Sequence, residues 1–210
     1  MAPDELASLT NKHSPARAAF SQDLHLPSLA HVDPFRFDPT WNVQDYHIPR
    51  KQYDHTITEI VERLGDELTR ENFPPSLETA VFEAVRNAHQ HGHQGNPSKP
   101  ITIGYRIIPG TEEHPKKRAQ IAVSDRGGTI HKDFLPYILH LRQLLGKNKE
   151  EFLQTLENFY FFSDKEKKTQ KNWGLGTSLM HAYAQRVEYF ANEHGGLVVV
   201  LTFNERRPDR

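Results

Sequence analysis

The hydrophobic residues of this chain repeat with two different periods, and the order of the two periods limits the available folds. Between residues 55 and 92 apolar positions recur every three or four residues, which predicts two amphipathic helices. The later β-branched runs predict strands at ITIGYRII (101–108), AQIAVSD (119–125), VEYFAN (187–192) and GLVVVLTF (196–203). Because helices and strands do not alternate as βαβ units, we expect an α+β fold with helices on one face of a mostly antiparallel sheet.

Turn residues set the limits of these elements. The first helix is expected to begin near His55 and to stop at the turn ENFPP. The second helix follows Pro75, and Gly92 is the residue expected to provide its left-handed C-terminal cap. Before both helices, the short run YHI (46–48) predicts an edge strand that the next proline ends.

Two stretches lie outside this regular pattern. Residues 1–44 contain many prolines and aromatic residues without a clear period, which predicts an irregular arm packed on the domain or on a partner. Residues 45–210 would then form the domain itself. Within that domain, the segment 130–171 contains two helical patterns of its own and predicts an enlarged lid or insert.

Composition narrows the choice of ligand and location. The formal net charge is -1, so no global field attracts nucleic acid or an anionic membrane, and an anionic ligand must be held by local groups. The chain has no cysteine, which excludes disulfides and thiolate metal ligands. The first residues do not resemble a secretory signal and no apolar run has the length of a membrane helix, so a cytoplasmic location is expected.

Two kinds of site are compatible with the segment EAVRNAHQHGHQGN. On a helix His89 and His93 lie four residues apart and could share a metal ion, but His91 would point to the far side. The simpler interpretation is that the histidines are polar residues at a fraying helix end. Alternatively, Glu83, Asn87 and His91 share one stripe of the helix, so a carboxylate and a carboxamide could face a common cleft.

Two pairs of glycines follow predicted elements and could accommodate a phosphate. Asp125 ends a strand just before Gly127 and a second glycine, so a carboxylate lies beside backbone that a ligand can approach closely. In WGLGTSLM, Gly174 and Gly176 open a helix that Thr177 or the following serine could cap. The free N–H groups and the positive end of that helix dipole would then be available to an anion.

In this order, the motifs EAVRNAHQHG, DRGG and WGLGTSLM resemble the N, G1 and G2 boxes of the GHKL superfamily of ATPases, which includes gyrase, histidine kinases and MutL. Over residues 45–205 the chain is similar in length and layout to the bacterial anti-sigma-factor serine/threonine kinases. The resemblance implies a Bergerat-type two-layer α/β sandwich that binds ATP and Mg²⁺ between sheet and lid. It also implies a protein partner, either a sigma factor or an anti-sigma antagonist, and allows a homodimer.

The same resemblance implies a role for each residue of the site. Glu83 would be the general base that polarises the attacking hydroxyl or water, and Asn87 would ligate Mg²⁺. Asp125 would accept a hydrogen bond from the adenine amino group, with Gly127 allowing close approach. The residues expected to wrap the phosphates are Gly174, Gly176 and Thr177.

Two positions depart from the family pattern. Thr129 stands where D-x-G-x-G has its last glycine, and Asn172 stands where G-x-G-x-G has its first, so ATP affinity could be weakened or lost. Two functions therefore remain open: an ATP-dependent protein kinase of the anti-sigma type, and a nucleotide-responsive or degenerate scaffold without kinase activity. The catalytic half of a two-component histidine kinase fits less well, because the sequence shows no helix bearing a phosphoacceptor histidine.

Overall fold

A computed structural model describes residues 34–127 and 175–206, and the strands in these ranges form one open sheet. The elements in chain order are β1 (Asn42–Tyr46), α1 (Tyr53–Arg70), α2 (Leu77–Asn87) with a π-helical turn (Ala88–Gly92), β2 (Ile101–Ile108), β3 (Arg118–Ser124), α3 (Leu175–Tyr183), β4 (Arg186–Ala191) and β5 (Leu197–Asn204). The sheet order is β1-β2-β3-β5-β4, and all four neighbouring pairs are antiparallel. The α+β fold is confirmed. The predicted insert (130–171) and the first 33 residues of the predicted arm lie outside the described ranges.

The main core lies between the helices and one face of the sheet. Alternate residues of neighbouring strands point to this face, as in the pairs Ile103 with Val123 and Ile121 with Leu201. The buried residues that α1 and α2 contribute are Ile57, Ile60, Val61, Leu64, Leu68, Leu77, Ala80, Val81, Ala84 and Val85. Each large aliphatic side chain removed from water contributes roughly 1.5–3 kcal/mol, so this layer fixes α2 firmly against the sheet.

The opposite face of the sheet is covered in part by residues 34–41, which belong to the predicted arm. The ring of Trp41 is 8% exposed and packs on small and β-branched residues of β3 and β5. Its centroid lies 5.7 Å from that of Phe35 and 5.6 Å from that of Phe37, both in edge-on geometry. The Phe35 amide also donates to the Ala191 carbonyl oxygen over 2.7 Å. This part of the arm therefore packs on the domain.

The first strand is found at the sheet edge, as predicted, but it begins earlier. The sequence placed a strand at 46–48, whereas Asn42–Tyr46 is the segment that pairs with β2. Four of its five residues are exposed, so no alternation of apolar and polar residues marks it. The burial of Trp41 immediately before the strand anchors the chain at this point.

The prediction that Gly92 is a left-handed cap is wrong. The helix widens into a π-helical turn that ends at Gly92, where φ is not positive, and the His93 amide donates to the Ala88 carbonyl oxygen over 2.9 Å. The left-handed residues come later, at Gln94 with φ 53° and Gly95 with φ 67°. Gly92 is therefore not required for a left-handed backbone conformation.

Among the helices of the two described ranges, none combines the length and the apolar character that crossing a bilayer requires.

Candidate functional site

Glu83 and Asn87 lie on the side of α2 that the first turn of α3 covers. Glu83 is only 6% exposed although it is a carboxylate on a helix. A Cβ atom built on Gly176 would overlap the Glu83 carboxylate and would lie 3.6 Å from the Asn87 side-chain nitrogen. A side chain here would force the Glu83 carboxylate or α3 to shift, and the structure thus brings Glu83, Asn87 and Gly176 together.

An arginine from the next turn holds the buried carboxylate. The Arg86 Nη2 atom donates to the Glu83 Oε2 atom over 2.6 Å. Arg86 itself is partly exposed, with 34% of its side chain accessible, and its guanidinium lies 5.8 Å from the centroid of the Phe82 ring. The ion pair holds the Glu83 carboxylate beside the first turn of α3 and compensates its negative charge in a mostly buried position.

The structure describes α3 from Leu175, so Thr177 lies within the first turn of this helix. Gly176 is buried in the same turn, against α2. Gly174 lies outside the described residues, as do Thr129 and Asn172.

Asp125 occupies the other end of the site, directly after β3. Asp125 is only 6% exposed, and its Oδ1 atom accepts hydrogen bonds from the backbone N–H groups of Gly127 (2.7 Å) and Leu197 (3.3 Å). Gly127 has φ 65°, and a Cβ atom there would lie 2.7 Å from the Gly195 carbonyl oxygen. Both the backbone angle and the lack of space require glycine at position 127.

The π-helical turn brings α2 to this aspartate. A Cβ atom on Gly92 would overlap the Asp125 carboxylate, so the glycine is needed for close contact and not for a left-handed cap. The helical element formed by α2 and its π-helical turn thus makes two contacts: Glu83 contacts α3, and Gly92 contacts Asp125. At about 1.5 Å of rise per residue these two contacts are roughly 13 Å apart, a separation that suits an extended ligand.

The histidines do not form the metal site considered from the sequence. His91 is exposed and does not share the buried stripe of Glu83, because the π-helical turn changes the helical register before it. His89 stacks on Tyr53 with ring centroids 5.1 Å apart. Within residues 34–127 and 175–206, no group of three histidine or carboxylate side chains is arranged to hold a metal ion.

Two of these histidines are nevertheless buried, which corrects the interpretation that they are polar residues at a fraying helix end. His89 is 3% exposed and His93 is 4% exposed. Burial lowers the pKa of both rings, and the pKa of His93 falls to about 4 because Lys99, His89 and Arg126 lie near it as well. Both imidazoles are therefore neutral at ordinary pH.

Sequence reasoning missed three side chains that bind the loop 125–127. His93 Nε2 accepts the amide N–H of Arg126, Lys99 Nζ donates to the Gly127 carbonyl oxygen, and Asn192 Nδ2 donates to the Asp125 carbonyl oxygen. Each is an isolated polar residue in a connection between elements. No local pattern in the sequence marks them, because their partners are distant along the chain.

These observations define an α+β domain in which one helix joins a buried carboxylate and a carboxamide to an aspartate at a strand end. A family model described as the histidine kinase-like ATPase domain matches residues 51–203, and the chain belongs to this family. Domains of this family bind ATP, usually with Mg²⁺, which supports an ATP-binding regulatory function. None of the curated proteins compared with the chain matches it.

Proposed function

We propose that the protein is an ATP-dependent serine/threonine protein kinase of the anti-sigma-factor type, which transfers the γ-phosphate of ATP to a protein antagonist. The observation that carries the proposal is the packing of Glu83 and Asn87 beneath the glycine-bearing first turn of α3. A buried carboxylate and a carboxamide beside a helix N-terminus are the groups that phosphoryl transfer needs for proton removal and charge neutralisation.

The residues present at this end of the site fit Mg²⁺. Asn87 supplies an oxygen donor, the ligand type that Mg²⁺ prefers, and the Gly176 position leaves the backbone of α3 close to it. When bound, the ion neutralises the charge on the phosphate oxygens. Glu83 lies beside Asn87 on the same helix face, where its carboxylate would take the proton of the attacking hydroxyl.

The opposite end of α2 fits the base of the nucleotide. Asp125 is buried and its Oδ1 atom is oriented by two backbone amides, so its carboxylate has a fixed direction. The carboxylate would accept a hydrogen bond from the adenine amino group, while Gly127 keeps the adjacent backbone free of a side chain. Gly176, with Gly174 and Thr177, would enclose the phosphates from the α3 side.

The proposal extends to partner and location. We place the kinase in the cytoplasm, acting on an anti-sigma antagonist and holding a sigma factor or similar regulator, with a homodimer as its assembly. The formal net charge of -1 supports a protein partner over nucleic acid, because no global positive field is present.

The test is transfer from γ-labelled Mg-ATP to soluble protein of the source cells, comparing the wild type with Glu83→Gln. We expect acid-stable phosphoserine or phosphothreonine, reduced about 100-fold or more in the variant because a general base contributes 10²–10⁴-fold. ADP affinity should stay within about twofold, since the substitution keeps shape. The matched control is Glu59→Gln, an exposed glutamate of α1.

Three outcomes would contradict the proposal. An unchanged transfer rate in Glu83→Gln would show that Glu83 is not the general base. Acid-labile phosphohistidine in place of phosphoserine would indicate the histidine-kinase alternative. Tight binding of Mg-ATP without any transfer or hydrolysis would favour a nucleotide-responsive scaffold.

A further inference from the structure

We infer that His93 is a positioning residue for the base of the nucleotide: its Nε2 atom holds the loop Asp125–Gly127, and thereby fixes the direction in which the Asp125 carboxylate meets adenine. The inference rests on the proposed function, because it assigns a role within that same site.

The contact itself is short and enclosed. Nε2 of His93 accepts the amide N–H of Arg126 over 2.8 Å, and His93 is 4% exposed. The π-helical turn sets the position of this ring, since the His93 amide bonds to the Ala88 carbonyl oxygen across five residues. This gives the irregular end of α2 a function.

Two further side chains hold the same loop. Lys99 Nζ, from the connection before β2, donates to the Gly127 carbonyl oxygen over 2.6 Å. Asn192 Nδ2, from the turn between β4 and β5, donates to the Asp125 carbonyl oxygen over 2.5 Å and to the Ser124 hydroxyl over 2.9 Å. Three successive residues of the loop are therefore each bound through a backbone group, two by side chains of the connection before β2 and one by a side chain of the turn between β4 and β5.

The role of His93 requires a neutral imidazole, because only an unprotonated Nε2 can accept the Arg126 N–H. Burial is the main cause that lowers the pKa of His93, to about 4, and the nearby Lys99, His89 and Arg126 act in the same direction. The ring therefore stays an acceptor throughout the physiological range. Both nearby cations that favour the neutral ring are part of the clamp: Arg126 belongs to the loop, and Lys99 binds it.

The consequence of this clamp is selectivity. Oδ1 of Asp125 is already bound by the amides of Gly127 and Leu197, and a Cβ atom at Gly92 would overlap the carboxylate from the other side. A carboxylate held this way can accept from the 6-amino group of adenine but meets the 6-oxo group of hypoxanthine as a second acceptor. A buried polar group that loses its partner penalises the wrong ligand strongly. A loosened loop would lose part of this discrimination.

The experiment measures the affinities of ADP and IDP by calorimetry, and the readout is their ratio. We expect the wild type to prefer ADP by at least about 10-fold and His93→Leu to lose most of that preference. His93→Gln should restore it, because the glutamine oxygen can reach the place of Nε2 and accept the same N–H. His114→Leu, in the exposed turn between β2 and β3, is the matched control.

A second variant covers the case in which His93→Leu does not fold. Lys99→Met removes the neighbouring tether at a partly exposed position, and we expect it to lower the ADP preference in the same direction. An unchanged ratio in folded His93→Leu, or in Lys99→Met if the former does not fold, would overturn the inference. A wild type that binds neither nucleotide would instead overturn the proposed function. The ratio separates positioning from a general loss of stability, which would weaken both nucleotides equally.

Discussion

The two ends of α2 are built in different ways. At the Gly92 end, the loop 125–127 is fixed through its backbone by three side chains, two from the connection before β2 and one from the turn between β4 and β5. At the Glu83 end, the functional groups are side chains, and the carboxylate forms an ion pair with a partly exposed arginine. In the proposed function, the base would therefore be recognised by a preformed site, whereas the groups for phosphate chemistry would change their partners when the nucleotide binds.

What the two ends share is a glycine. Gly92 and Gly176 each lie where a single methyl group would overlap a buried carboxylate. The same substitution, glycine to alanine, can therefore be made at both ends. The comparison becomes sharp if each variant impairs a different step.

The largest effect is expected from Asp125→Asn at the base end. The amide places an N–H donor where two backbone amides and the adenine amino group all donate, so at least one donor loses its acceptor. We expect ADP affinity to fall about 100-fold or more, measured by calorimetry. Asp66→Asn, on the exposed side of α1, should leave it unchanged. Equal affinity in the Asp125 variant would separate this aspartate from the nucleotide.

Gly176→Ala should impair chemistry and spare binding of the base. The added methyl group pushes α3 away from Glu83, and a displacement on the order of 1 Å can reduce the rate about 100-fold. Phosphoryl transfer and ADP affinity are measured in parallel, and we expect ADP affinity to change less than about threefold. Ala182→Ser, at an exposed position of α3, provides the control. A Gly176→Ala variant that loses ADP affinity but keeps its transfer rate would contradict the assignment of phosphate chemistry to this end of α2.

Gly92→Ala should show the opposite pattern. The methyl group displaces the Asp125 carboxylate, so we expect ADP affinity to fall about 10-fold and the protein to be destabilised by about 1–3 kcal/mol. Thermal unfolding measures the second effect. Ser98→Ala, at an exposed position after the π-helical turn, should change neither quantity. If Gly92→Ala leaves both unchanged, the contact with Asp125 is not restrictive.

The smallest effect is a dependence of stability on pH that originates in His93. Because folding lowers the pKa of this ring from the usual 6.5 to about 4, its contribution to stability is complete above 6.5 and is lost as the pH falls through 4. Between pH 7 and pH 5.5 we expect the wild type to lose about 1 kcal/mol more of its free energy of unfolding than His93→Gln. Parallel denaturation curves for the two proteins would contradict the buried, neutral ring.

The sequence predicts the regular part of the fold because hydrophobic periodicity is local. The stripes of α1 and α2 and the β-branched runs of β2, β3 and β5 each contain their own signal, and all appear where they were expected. The strand β1 was misplaced because it is mostly polar and lies at a sheet edge, so neither periodicity nor composition distinguishes it from a loop. The arm was predicted to pack on the domain or on a partner, but the face that residues 34–41 cover was not predicted, since the aromatic residues of the arm have no period.

The sequence predicted the motifs of the candidate site but not the side chains that hold the loop 125–127 in place. Glu83 and Asn87 are four residues apart on a helix, so their shared face follows from the sequence. The π-helical turn depends on hydrogen bonds across five residues, and nothing in AHQHG requires it. The bonds of His93, Lys99 and Asn192 to the loop 125–127 connect distant segments, which only the folded chain brings together.

The central claim is that α2 spans a nucleotide, with the phosphates at Glu83 and Asn87 and the base at Gly92 and Asp125. The most direct test is to bind ADP with Mn²⁺ in place of Mg²⁺ and to record which backbone amide signals the paramagnetic ion broadens. We predict the strongest broadening around Asn87 and Gly176, while Arg126 and Gly127 show shifts caused by adenine with much less broadening. Strongest broadening at the loop 125–127, or none near Asn87 under saturating nucleotide, would contradict this orientation.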